Sequence, residues 1–183
     1  MLVLVGKGNQ LCLYAGAVSG TYALYLSVVQ RRLGKALSQE EFMQTIVSRA
    51  IRLKLSIVEQ DEREGGMRRL LNLGHTLGHA IEKCTHDVNH GEAVAIGMMM
   101  ISEAAVRRGE LSATECQRII GLLSGLGFKR DIGVQTGNII REVKHDKKKS
   151  GNDLNVVMPC GIGKCRIERL SYDEFEQMFT TKG

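Results

Sequence analysis

Apolar residues recur at helical spacing over most of the chain beyond residue 38. Phe42, Ile46, Ala50 and Ile51, then Leu53 and Ile57, follow one helical face. Ahead of them Ser38-x-x-Glu41 is a capping box, in which hydroxyl and carboxylate satisfy each other's exposed backbone donors. This pattern predicts a helix from Ser38 to Glu59. A charged, Gly-ended loop follows over 60–66, then a second helix over 68–84. A third helix runs from His90 to Arg108 and is ended by Gly109. Ser112-x-x-Glu115, another capping box, starts a fourth that stops near Gly125 or Gly127, and a shorter one covers 137–144. Beyond Lys149 the period changes. Asn155–Met158, the Gly161-Ile162-Gly163 turn and Cys165–Arg169 predict a β-hairpin, and 172–179 a terminal helix. The expected fold is mainly α, a helical bundle with a small β-hairpin near the C-terminus. The run Met98–Met100 is expected in the core. Residues 1–37 read differently: Gly6, Gly8, Gly16, Gly20 and Gly34 interrupt them, and only Val3–Val5, entering a Gly turn, reads as a strand.

Composition narrows this picture. The 183 residues suit one domain with enough material for a real core. Aromatic residues make up 4%, Trp is absent and there is one Pro, so the core is aliphatic and long helices are permitted. The net charge of +5 is a solvated basic surface or the mark of a small anionic substrate. No aromatic-and-basic module points to nucleic acid. The five Cys have scattered spacings without a CxxC pair, so free, mostly buried thiols of a cytoplasmic protein are expected. Leu11–Val29 carries no charge, but its glycines, hydroxyls and tyrosines make it a poor membrane span, and no membrane partner is expected.

Four of the five His fall between positions 75 and 90. His75 and His79 are four apart and project from one helix face. Imidazole suits zinc and similar metals, and His90 from the next helix start completes a three-ligand set with positions left open for water or substrate. On spacing alone, His79 is a ligand like the other two.

These residues also carry a resemblance. Leu71-Asn-Leu-Gly-His75-Thr-Leu-Gly-His79-Ala-Ile-Glu82 and His90-Gly-Glu-Ala-Val-Ala-Ile-Gly-Met98 resemble two consecutive signatures of 3-dehydroquinate synthases. Lys54, Asp61, Glu62, Glu64 and Arg68 fall in register with the family's preceding acidic stretch, and Asp146-Lys147-Lys148 resembles a downstream element. The family converts a linear seven-carbon keto-acid sugar phosphate into 3-dehydroquinate, on the shikimate route to aromatic compounds, with NAD used transiently and zinc or cobalt as metal. The resemblance implies His75 and His90 as metal ligands and His79 as a proton relay rather than a ligand. It implies Lys54, Arg68, Asn72 and Lys148 as binders of substrate carboxylate and phosphate, with Lys54 also catalytic. Glu64 and Glu92 are expected to orient a Lys or His rather than to catalyse, and Asp61 and Glu62 read equally well as such groups or as loop charges.

The resemblance covers about residues 38–175. Residues 1–37 stand outside it as a divergent segment, leaving 38–183 as a C-terminal helical domain. The family's NAD-binding half, and the Glu that serves as its third ligand, have no counterpart in the sequence. A chain inactive alone, partnered by a separate N-terminal half and dimerising with itself, is therefore expected. The alternatives are a sister sugar-phosphate cyclase or a non-catalytic metal-binding or interaction domain.

Overall fold

The computed structural model describes residues 3–5, 11–13, 51–52, 55–61, 66–125, 127–145 and 153–180. Strands β1 (Val3–Val5) and β2 (Leu11–Leu13) pair antiparallel, so the expected strand at Val3–Val5 is present. Residues 51–52 and 55–60 are helical, as the first helix requires. The capping box at Ser38 and most of the uncharged stretch 11–29 lie outside the described residues. A 3-10 helix (Met67–Asn72) is followed by α1 (His75–Cys84), α2 (His90–Arg107), α3 (Ala113–Gly125) and α4 (Thr136–His145). Strands β3 (Asp153–Gly161) and β4 (Lys164–Ser171) form an antiparallel hairpin whose register shifts between Pro159 and Gly161, and α5 (Tyr172–Thr180) closes it. The chain is a helical bundle with a two-stranded hairpin near its C-terminus.

The second helix departs from expectation. In place of one helix over 68–84, the chain forms a 3-10 turn and restarts as α1 after Gly74, whose φ of 81° lies in the left-handed region. The restart makes His75 the first residue of α1. Contact with α2 demands glycine there as well as backbone geometry: a Cβ at Gly74 would lie 2.7 Å from the Val94 carbonyl oxygen.

α2 is buried on nearly every side, as a helix apolar all round must be. α1, α3, α5 and β3 pack against it. Met98, Met99 and Met100 lie in this core, as the sequence predicts. Three glycines set the approach of α1 to α2. A Cβ on Gly97 would sit 2.2 Å from the Gly74 carbonyl oxygen, and one on Gly78 would sit 2.7 Å from the Val94 side chain. The two backbones meet directly, which brings the start of α2 beside the polar face of α1. Ser112 caps α3 as expected, its hydroxyl accepting from the Glu115 backbone N–H at 3.2 Å. Cys84, Cys116, Cys160 and Cys165 are free thiols, but only Cys116 is buried; the others lie at the edges of the core. Among the described residues no helix is long and apolar enough to cross a membrane.

Candidate metal centre

The glycines that let α1 touch α2 also arrange the histidines. Gly74 and Gly78 face α2, and His75 and His79, each one residue further on, are turned about a quarter of the way round the helix. His90 is the first residue of α2. Its position is held by Asn89, which accepts from the Glu92 backbone N–H at 3.1 Å while the Glu92 carboxylate accepts from the Asn89 N–H at 2.9 Å. Glu92 is thus engaged in a capping box. The expectation that it orients a Lys or His is corrected: its carboxylate is used by the helix terminus.

The three imidazole rings form a triangle, with centroids 5.9 Å apart for His75 and His79, 5.7 Å for His75 and His90, and 5.4 Å for His79 and His90. Glu82, one turn beyond His79, reaches two of them: its Oε2 lies 2.8 Å from His90 Nδ1 and 3.3 Å from His79 Nδ1. Among the described residues, His79, Glu82 and His90 offer ligand atoms all within 4.8 Å of one another. His75 stands slightly apart as the third ring.

Environment separates the rings. Burial, and then the neighbouring His79 and His90, push the His75 pKa down to about 4, against opposing backbone hydrogen bonds to Leu73 and Asn72. At neutral pH His75 is therefore uncharged, as a metal ligand must be. His79 is the exposed member, its side chain 59% accessible, against 34% for His90. Burial raises the Glu82 pKa, but the hydrogen bond and charge of His90, then those of His79, outweigh it and hold the carboxyl below the ordinary range. Three clustered imidazoles and a carboxylate at a partly open surface fit a borderline divalent metal.

The anion-binding expectations are placed unevenly. Lys54 and Lys148, like Glu62 and Glu64, lie outside the described residues. Arg68 and Asn72 sit on the 3-10 helix that leads directly into His75. Asp61, whose role the sequence leaves open, fixes the entry to that helix, where its Oδ2 accepts from the backbone N–H groups of Gly66 at 2.8 Å and Arg68 at 3.0 Å. The Asn72 side chain lines a groove with Arg69, Asn155, Val157, Ile167 and Tyr172, between the 3-10 helix and the hairpin. Glu82 is the residue that sequence reasoning passed over. The signal was present, because three residues from His79 and seven from His75 is the same helix face.

A helical bundle with a histidine-rich, partly open candidate metal site at the contact of two helices is the class defined by this geometry. The chain belongs to the 3-dehydroquinate synthase family: the family described as "3-dehydroquinate synthase C-terminal" matches residues 18–149, starting upstream of Ser38. A 3-dehydroquinate synthase of Geotalea uraniireducens (strain Rf4) is 41% identical over 137 residues, 73% of this chain and 38% of the relative. Another, from Thermoanaerobacter sp. (strain X514), is 37% identical over 139 residues, 74% of this chain and 39% of the relative. The matched part of the chain thus spans well under half the length of these relatives. Among solved structures, ValA (2-epi-5-epi-valiolone synthase) from Streptomyces hygroscopicus subsp. jinggangensis 5008, with NAD+ and Zn2+ bound, aligns at a TM-score of 0.66 and 23% identity, over 88% of this chain and 46% of that one. A 2-deoxy-scyllo-inosose synthase complexed with carbaglucose-6-phosphate, NAD+ and Co2+ aligns at 0.62 and 24%, over 76% and 40%. At these identities the structural likeness bears on the fold.

Proposed function

We propose that this chain carries the metal- and substrate-binding part of a 3-dehydroquinate synthase, which converts a seven-carbon keto-acid sugar phosphate into 3-dehydroquinate with loss of phosphate. The observation that carries the reading is the cluster of His75, His79 and His90 on the family's two consecutive signatures, held together by the glycine contact of α1 and α2. His75 and His90 hold the metal, zinc or cobalt, each offering a neutral nitrogen. A bound metal would acidify a substrate hydroxyl, and NAD would accept the hydride from the carbon that bears it. His79, exposed and one turn from His75, receives the hydroxyl proton at an imidazole nitrogen and returns it later in the cycle.

Arg68 and Asn72, next to His75 in the chain, bind the substrate carboxylate and phosphate together with Lys54 and Lys148. This anion-binding set favours a carboxylate-bearing substrate over the carboxylate-free sugar phosphates of sister cyclases, which have less use for it. Calorimetric titration tests the assignment. The metal-free chain is expected to bind about one Zn2+ or Co2+, and to bind the linear keto-acid phosphate only once loaded. A chain that binds no metal, or binds substrate equally well without it, overturns the proposal.

A further inference from the structure

Glu82 touches both His90, the proposed ligand, and His79, the proposed proton relay, through the same carboxylate oxygen. A carboxylate only accepts hydrogen bonds, so each Nδ1 that faces it carries a proton. In a neutral ring that leaves Nε2 as the bare nitrogen. The 2.8 Å separation from His90 Nδ1 is a charge-assisted hydrogen-bond distance. It is too short for two ligand atoms of one tetrahedral zinc, which bonds of about 2.0–2.1 Å place roughly 3.4 Å apart. We infer that Glu82 is a positioning residue, whose carboxylate takes the Nδ1 protons of His90 and His79 so that His90 Nε2 is presented to the metal and His79 Nε2 to the substrate hydroxyl.

The inference rests on the metal-site reading above and adds a device to it. One carboxylate sets the tautomers of two rings with different duties, and ties the last turns of α1 to the first residue of α2. Carboxylates that hold ligand imidazoles in this way raise their basicity and fix their plane, and losing one costs about 10–100-fold in metal affinity. Glu82 is reached through helix geometry alone, three residues after His79, so the coupling of ligand and relay is built into α1.

The test uses the 183-residue chain, metal-free and labelled with 15N-histidine, with ring tautomers read by two-bond 1H–15N correlation at about pH 8, where imidazoles are neutral. In the wild type, His79 and His90 are expected as Nδ1–H forms. In Glu82→Ala both should move toward the Nε2–H form that free side chains favour, and Zn2+ affinity should fall about 10–100-fold. Glu82→Gln keeps an accepting oxygen and should stay within about 10-fold of wild type. A merely structural strap would change stability without changing tautomers. Nε2–H rings in the wild type, or tautomers and affinity unchanged in Glu82→Ala, overturn the inference. So does Glu82→Gln losing as much affinity as Glu82→Ala with an altered Co2+ absorption spectrum, which would make Glu82 a ligand. Should Glu82→Ala not fold, the wild-type tautomers and the Gln variant still decide. If the wild type binds no metal, the functional reading fails, while the tautomer measurement tests this inference separately.

Discussion

His75 and His79 share a helix face but not an environment, and their expected duties follow from that difference. His75 is half-buried, flanked by two imidazoles and uncharged at neutral pH, so its nitrogen is ready to bind a metal without first losing a proton. His79 stands out in solvent, where its ring can exchange protons and meet a substrate. His75→Ala is expected to lower Zn2+ affinity by about 100-fold or more, and His79→Ala by less than about 10-fold, in the same calorimetric titration. Equal losses would make His79 a ligand and return the site to the three-histidine set that spacing alone suggests. At this scale the sequence revealed which rings cluster, because a four-residue step and a following helix start are geometric facts. It did not reveal which carboxylate serves them. Glu92 and Glu82 both lie beside histidines in the chain, and only the structure shows that Glu92 is used by the capping box while Glu82 turns toward the rings.

At the scale of elements, hydrophobic period located α2, α3, the hairpin and α5 to within a few residues, because each is bounded by a cap, a glycine or a change of period. It misread 68–84 because apolar spacing continues through the break at Gly74. What interrupts the helix there is a tertiary contact, invisible to a local pattern: the backbone at Gly74 and Gly78 lies against Val94 and Gly97. The contact makes a sharp prediction. Gly97→Ala places a methyl group 2.2 Å from a backbone oxygen, and neither helix can yield without moving the other. A loss of about 3 kcal/mol in urea unfolding is expected, with the histidine triangle opened and metal binding weakened. Gly121, also helical but with nothing within 4 Å of a Cβ, is the control. Gly121→Ala should stabilise by about 0.4–1 kcal/mol, because it lowers the entropy of the unfolded chain without a clash. Similar effects at both positions would mean that α1 and α2 do not meet through their backbones.

Over the whole molecule, charge and then the share of the relatives' length that is matched bear on what the chain can do. Carboxylates on different elements are held below their ordinary range: Glu115 by the Ser112 hydroxyl and the Ile162 N–H, Glu174 by Ser171, and Glu168 by Arg108 and Arg166, which outweigh its burial. A depressed carboxyl pKa contributes stability that is present above its unfolded value and lost as pH falls through the folded one. The denaturation midpoint should therefore decline from about pH 5 toward pH 3, and Glu168→Gln should flatten that decline. The family was legible from four separate motifs, yet a motif reports only the residues it contains. The matched relatives are more than twice as long as the aligned region, and oxidation of a substrate carbon needs a nicotinamide ring held against it. That positioning is worth roughly 7–11 kcal/mol in favourable cases, and the metal binding proposed for His75 and His90 cannot replace it. The 183 residues alone, given metal, NAD and the linear substrate, are accordingly expected to release no phosphate above the uncatalysed rate. Adding the separately made N-terminal part of a full-length relative should restore some turnover, and His79→Ala should remove it again. Phosphate release by the chain unaided, abolished in His79→Ala, would place the nicotinamide site within these residues and overturn the expectation of a chain inactive on its own.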